Sequence, residues 1–414
     1  MWLAILCLLS VFVADRFFRG KLLGDTEMLA GGAILYIVLP FIAFEYNWLT
    51  DMPGIENWRE LFQNAYDLGG QIAALCLGLT MSYIFGRKIA SVTAAKLGSS
   101  MNRPISKSLV TLIAIGLWSI WVAIALLNRA SFFQGYSIEY DTALLGNLAT
   151  VNLVALAVVL SCRQYKRKGA GYQSLCGLLV INSIALLSLG GRLYVIIPVV
   201  AIVLQTLSMV RSTASRVRLF AGLTIIVTVL LLVGALRIGG DLSPDFLAYI
   251  GLAEGMFTSM SLGSFVEHNG IPMLSVPFNF FGSIVNFIPS AILADKAAFV
   301  PLIQDSGRYF DSPLGATHLL VAVLGNFGWL GGLLFATVLG WTIGGVRKVS
   351  PRGWWLYFYL CSLLPFMFFR DGFSIFNKAA LFNGCIVMWF IVALDGALWP
   401  RISAQPGAPP KHSQ

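Results

Sequence analysis

Residues Gly307–Gly332 read GRYFDSPLGATHLLVAVLGNFGWLGG. Charged and small residues come first, then His318, Asn326 and a group of glycines among leucines and valines. The stretch closes the longest polar-to-mixed interruption in an otherwise apolar chain and leads straight into another apolar run. At the edge of a bilayer, polar groups and non-helical backbone must be satisfied by protein or by a water-filled cavity. The expectation is therefore a segment that roofs a cavity on the outer side of a membrane and re-enters beside it.

Working outward, apolar runs dominate. Of 414 residues, 57% are hydrophobic and only 11% charged. A soluble domain carries about 25% charged residues, so most of the chain belongs in lipid or in a helix bundle. Several runs reach the roughly 20 residues a helix needs to cross the hydrocarbon. Eleven spans are expected, near 1–16, 27–44, 68–86, 108–127, 143–162, 174–189, 193–210, 219–238, 315–345, 354–370 and 379–398. The fold class is all-α and polytopic. It forms one integral membrane domain, 1–400, followed by a disordered cytoplasmic tail, 401–414. The opening MWLAILCLLSVFVADRFFRGK lacks a basic stretch before its apolar run and reads as a retained first helix. Six scattered cysteines form neither a metal spacing nor a disulfide framework.

Charge sets the orientation. With the N-terminus outside, 20 of the 28 Lys and Arg residues fall in cytoplasmic turns, while the outer face receives 15 of the acids. That is the positive-inside bias. It explains the net charge of +9 without nucleic acid. The long outer loop, 239–314, should be helical, because a structureless connection of that length is uncommon. Pro272, Pro277, Pro289, Pro301 and Pro313 divide it. Its segments 246–266 and 273–294 are apolar enough for a further spanning pair. The turn between them has no Lys or Arg, so amphipathic or re-entrant helices lying outside are expected.

Eight basic residues are left on the acidic face, and four of them stand at helix ends or mouths where this bias should not put them. Arg192 follows Gly190 and Gly191 in a tight turn, Arg237 ends the eighth helix, Arg308 opens the roofing segment and Arg370 ends the tenth. A membrane-edge charge is a functional hypothesis by default. Snorkelling to lipid phosphates explains any one of them but explains four less well. Guanidinium forks suit phosphate oxygens, which points to a diphosphate whose developing negative charge they neutralise without a metal. No paired carboxylates stand at metal-ligand spacing, and no cofactor is expected. Candidate proton acceptors on the same face are His318, Asp311 and Glu254. Tyr194, Tyr309, Asn326 and Asn377 could bind sugar hydroxyls or could equally bridge helices.

Arg192 in SLGGRLYVIIPVV, the long outer loop, SPLGATHLLVAVLGNFGWLGG and FFRDGFSIFNK together resemble bacterial oligosaccharide repeat-unit polymerases, the O-antigen polymerases of the Wzy class. Gly325, Asn326, Phe327 and Gly328 in succession, followed by Gly331 and Gly332, are the most specific piece. The resemblance covers the chain from the sixth helix onward. It implies a multi-pass enzyme of the bacterial inner membrane with a GT-C-like fold and a periplasmic site. The reaction would be metal-independent glycosyl transfer between glycans carried on undecaprenyl diphosphate, with membrane lipids and a chain-length regulator protein as further partners. Arg192 stands at the family's loop arginine and Arg370 at its late arginine, although Asp371 here separates Arg370 from Gly372. The ligase that moves glycan onto lipid A–core is the nearest alternative. A flippase for lipid-linked glycan is a second, but the paired discontinuous helices that would mark a transporter are not evident.

Overall fold

The computed structural model describes residues 1–18, 23–48, 58–93, 104–133, 142–210, 212–238, 242–288, 293, 310–311, 316–349 and 354–398. Among them every regular element is helical, apart from one isolated parallel bridge between Thr317 and Asp371. Among the described residues nine helices are long and apolar enough to cross a membrane: Asp25–Glu45, Gly69–Ala90, Lys107–Leu127, Leu144–Gln164, Ala170–Ser188, Arg192–Met209, Thr213–Leu236, Leu319–Lys348 and Gly372–Leu398. Trp2–Val13 and Trp355–Phe368 are apolar but shorter. All eleven expected places thus hold an apolar helix, and nine have spanning length. The chain is a multi-pass helical membrane protein.

The centre of the bundle is the 142–164 helix, buried almost continuously from Val151 to Cys162. Lipid cannot hydrogen-bond, so the polar groups that reach this depth are stitched to neighbours. Asn182 donates through Nδ2 to the Leu148 carbonyl at 2.9 Å and accepts from Trp121 Nε1 at 3.1 Å. Gln205 donates to the Leu160 carbonyl, and Asn152 to the Tyr194 carbonyl. The 69–93 and 319–349 helices run against each other at backbone distance. A Cβ on Gly86 would overlap the Thr337 carbonyl, and one on Gly340 the Tyr83 carbonyl. Small residues permit this approach, which is how helices gain van der Waals contact where no hydrophobic force drives them together.

Two kinds of departure from regular helix are present among the described residues. The 319–349 helix is broken at Gly328, where φ is +67° and ψ −175°. The freed amides of Trp329 and Leu330 donate to the carbonyls of Pro272 and Met273 at 2.8 and 3.0 Å. The re-entrant reading of this stretch therefore corresponds to a short buried helix up to Phe327, a glycine break and then a long helix toward the opposite end. The second is a widening to π-helical winding at Ile34–Val38, Leu364–Phe368 and Lys378–Ile386. Such bulges are frequent at functional sites.

Within the long loop, the 246–266 segment is part of one helix, Pro244–Asn269. It does not lie exposed as an amphipathic helix would. Residues 255–265 are buried all round, because Gly263 abuts the Leu61 carbonyl and Gly255 abuts Leu35 and Pro40. Small residues (Ser259, Ser261, Gly263 and Ser264) make that enclosure possible. The 273–294 segment is no spanning helix either, holding only short turns at Phe278–Gly282 and Ser283–Phe287 among the described residues. The tail 401–414 lies outside the described residues.

Candidate functional site

Arg192 opens the Arg192–Met209 helix directly after a glycine turn in which Gly190 adopts φ +85°. Its guanidinium lies over Gly234, where a Cβ would stand 2.5 Å from Nη1. Arg370 ends the short 354–370 rod, and Glu254 sits midway along the buried Pro244–Asn269 helix. These three elements bring their charges to one place. Arg370 Nε is 3.3 Å from Glu254 Oε2, Arg192 Nη2 is 3.9 Å from Glu254 Oε1, and Arg370 Nη1 is 3.0 Å from Asp371 Oδ1. The side chains of Arg192, Arg370 and Glu254 are 25%, 29% and 35% exposed, so the cluster is recessed but open. Glu254 bridges the two cations, whose guanidinium groups would otherwise repel.

Two tyrosines complete the surroundings. Tyr36, on the widened turn of the 25–45 helix, is buried and stacks on Phe369 at 6.5 Å between centroids. It lies within the electrostatic reach of Glu254, Arg370, Asp371 and Arg192. Tyr194, two residues beyond Arg192, lies within that of Asp371 and Arg370. Burial raises the Asp371 carboxyl to about 6; the Arg370 guanidinium opposes the rise and Glu254 adds to it. Burial works against charge on Arg370, but Glu254 and Asp371 outweigh it and its pKa is raised. Arg370 therefore stays cationic, while Asp371 titrates near neutrality.

His318 is fully buried just before the 319–349 helix. Its Nδ1 accepts from the Leu320 amide at 3.0 Å, and its own amide donates to Ser261 Oγ at 3.0 Å. Burial lowers its pKa to about 3. A neutral imidazole whose Nδ1 lone pair is engaged carries its proton on Nε2. The residue thus caps a helix start and offers no lone pair to a substrate in this arrangement. The main chain beside it joins the site: the Thr317 amide donates to the Arg370 carbonyl at 3.1 Å.

The other expected residues are placed apart. Asp311 is anchored by its amide to Ser264 Oγ at 2.8 Å, ten residues and so about 15 Å along the helix from Glu254. Asn326 donates to the Ala322 carbonyl and accepts from the Phe280 amide at 2.7 Å. Asn377 donates to Ser283 Oγ at 2.8 Å. Both asparagines brace the loop against the helices. Arg308, Tyr309 and the Arg237 side chain lie outside the described residues. Sequence reasoning missed Asp371 and Tyr36 as site residues. The signal for Asp371 was present in FFRDGF, an acid directly after a membrane-edge arginine. Tyr36, inside an apolar run, gave none.

A second polar cluster lies toward the opposite ends of the 25–45 helix, which carries Tyr36, and the 354–370 rod, which carries Arg370. Asp25 is fully buried, with Tyr357 Oη donating to Oδ1 and Tyr83 Oη to Oδ2, each at 2.5 Å, and Arg87 Nε 3.4 Å away. Eleven residues separate it from Tyr36, about 16 Å along a helix. Among the described residues, no group of three or more His, Cys, Asp or Glu is placed to hold a metal ion. No protein-family model, curated protein or solved structure matches this chain.

Proposed function

We propose that this protein is a membrane-embedded glycosyltransferase that joins oligosaccharide repeat units carried on a polyprenyl diphosphate such as undecaprenyl diphosphate. The observation that carries the reading is the convergence of Arg192 and Arg370, from two separate helices, on Glu254 of the 244–269 helix in a recessed but open site. Arginines at membrane depth are costly and mark function, and paired guanidinium forks match the oxygens of a diphosphate. Arg192 meets Glu254 only at 3.9 Å, beyond hydrogen-bond length, which leaves its donors for a ligand. Glu254 holds the two forks together until the diphosphate arrives.

In this reaction an acceptor hydroxyl oxygen attacks the anomeric carbon of the donor glycan. The bond from that carbon to the diphosphate oxygen breaks, and the lipid diphosphate leaves with its charge neutralised by Arg192 and Arg370. The hydroxyl proton goes to a carboxylate. Asp371 fits that task better than His318, because it titrates near neutrality beside Arg370 while the His318 Nδ1 is taken up by the Leu320 amide. A base tuned close to working pH is the efficient one. Tyr36 and Tyr194 are placed to orient sugar hydroxyls. The setting is the bacterial inner membrane with the site on the periplasmic face, and a GT-C-like class follows from the same reading.

The test is the purified protein in vesicles with a defined lipid-diphosphate-linked oligosaccharide. Lengthened glycans and released lipid diphosphate are expected in the same samples. Transfer of the intact lipid between leaflets without either product would replace the polymerase with a flippase. Glycan moved only onto added lipid A–core would make it a ligase.

A further inference from the structure

Residues 271–288 carry no Asp, Glu, Lys or Arg. Met273, Leu274, Val276, Phe278, Phe281 and Ile284 nevertheless present exposed apolar side chains, Phe278 at 74% and Phe281 at 61%. We propose that this segment is a strap immersed in the hydrocarbon of the leaflet on the side of the Arg192–Arg370 cluster, its partner the acyl chains of the bilayer. The proposal is independent of any reaction.

The first support is the backbone. Non-helical chain survives in lipid only when its polar groups are bonded within the protein. The carbonyls of Pro272 and Met273 take the amides of Trp329 and Leu330 at the Gly328 break, and the Phe280 amide donates to Asn326 Oδ1. The amides of Phe278, Phe281 and Ile288 are bonded within the strap at 2.8, 3.2 and 3.1 Å. For these groups the partners come from inside the protein, and the helix break and the strap bond to one another.

Continuity is the second support. Met273 is bonded to Leu330, whose exposed side chain begins the outward flank that continues to Leu334, one turn along the same helix. At the other end Phe287 stacks on Phe382 at 5.5 Å, next to exposed Leu381 on the 372–398 helix. The outward faces of these two spans already require lipid, and the strap extends the same apolar surface between them. Phe280, packed at 5.2–5.7 Å against Phe327, Phe335 and Phe373, anchors it inward.

The test is aromatic-for-aromatic, so folding is retained. A benzophenone-bearing phenylalanine is placed at Phe278 or Phe281 of the full chain, with Leu334 as the spanning control and exposed Glu60 as the aqueous control. The protein is reconstituted in phosphatidylcholine vesicles, irradiated and examined by mass spectrometry. Acyl-chain adducts at 278 and 281 with the yield seen at 334, and loss of that signal at 60, are expected. Adducts at 334 but none at 278 and 281 would overturn the proposal. So would chain-to-chain adducts, which would make the strap a contact between copies. Adducts that form only after a polyprenyl diphosphate is added would make it a substrate seat and overturn it equally.

Discussion

At the scale of single residues, the site is defined by which polar atoms are already committed. His318 gives Nδ1 to a helix start, whereas Asp371 holds one oxygen against Arg370 and titrates close to neutrality. Asp371→Asn should therefore lower turnover by roughly 10²–10⁴-fold, the usual range for a general base, with a smaller effect on KM. In the parent protein, activity should rise with pH through about 6 as the Asp371 carboxyl ionises, and that acid limb should vanish in the variant. His318→Ala should behave differently. It should cost about 0.5–2 kcal/mol of stability, as the loss of a cap does, while His318→Asn, which can still cap, retains most activity. A rate equally low in Asn and Ala variants of His318, with folding intact, would restore it as the proton acceptor. Replacing Arg192 or Arg370 by alanine should abolish glycan lengthening, and lysine should restore little of it, since the planar fork is lost. A wild-type rate in both lysine variants would show that charge alone is sufficient.

At the scale of elements, two positions carry backbone consequences. Gly328 combines positive φ with a Cβ position 2.5 Å from Leu274 backbone atoms. Gly328→Ala should cost at least about 1–2 kcal/mol for the left-handed conformation alone, and more if the strap is pushed away. Thermal unfolding in detergent measures this, and an unchanged midpoint would mean the break relaxes freely. At the Asp25 cluster, Asp25→Ala strands the hydroxyls of Tyr83 and Tyr357 in a buried site, at roughly 1–3 kcal/mol for each unsatisfied group. Arg87 is partly exposed, so its ion pair adds little. Asp25→Asn, which keeps an acceptor oxygen, should fall between the parent and the alanine variant. The 25–45 and 354–368 helices also carry Tyr36 and lead to Arg370, so loosening this joint is expected to reduce activity along with stability.

At the scale of the whole molecule, orientation follows from charge rather than contacts. Cysteines introduced at residues 60 and 133 should react with an impermeant reagent added outside intact cells. Those at 88 and 166 should react only after the membrane is opened. The reverse pattern would invert the protein and place the arginine cluster on the cytoplasmic side. The sequence by itself determined the helical membrane class and the positions of the apolar helices, because hydrophobic length is a local property that lipid reads directly. It also singled out Arg192 and Arg370, since a cation on the acidic face is legible without coordinates. Glu254 was visible only as one acid among several on that face. What only the tertiary structure decided was which groups meet. Glu254 bridges both arginines because one helix of the long loop is enclosed by small residues, and no periodicity announces that enclosure. His318 and Asp311 lie near the same segment in sequence, yet one caps a helix and the other is tied to Ser264. The Asp311 amide reaches Ser264 and the His318 amide reaches Ser261 across dozens of residues of chain, and only packing brings such neighbours within reach.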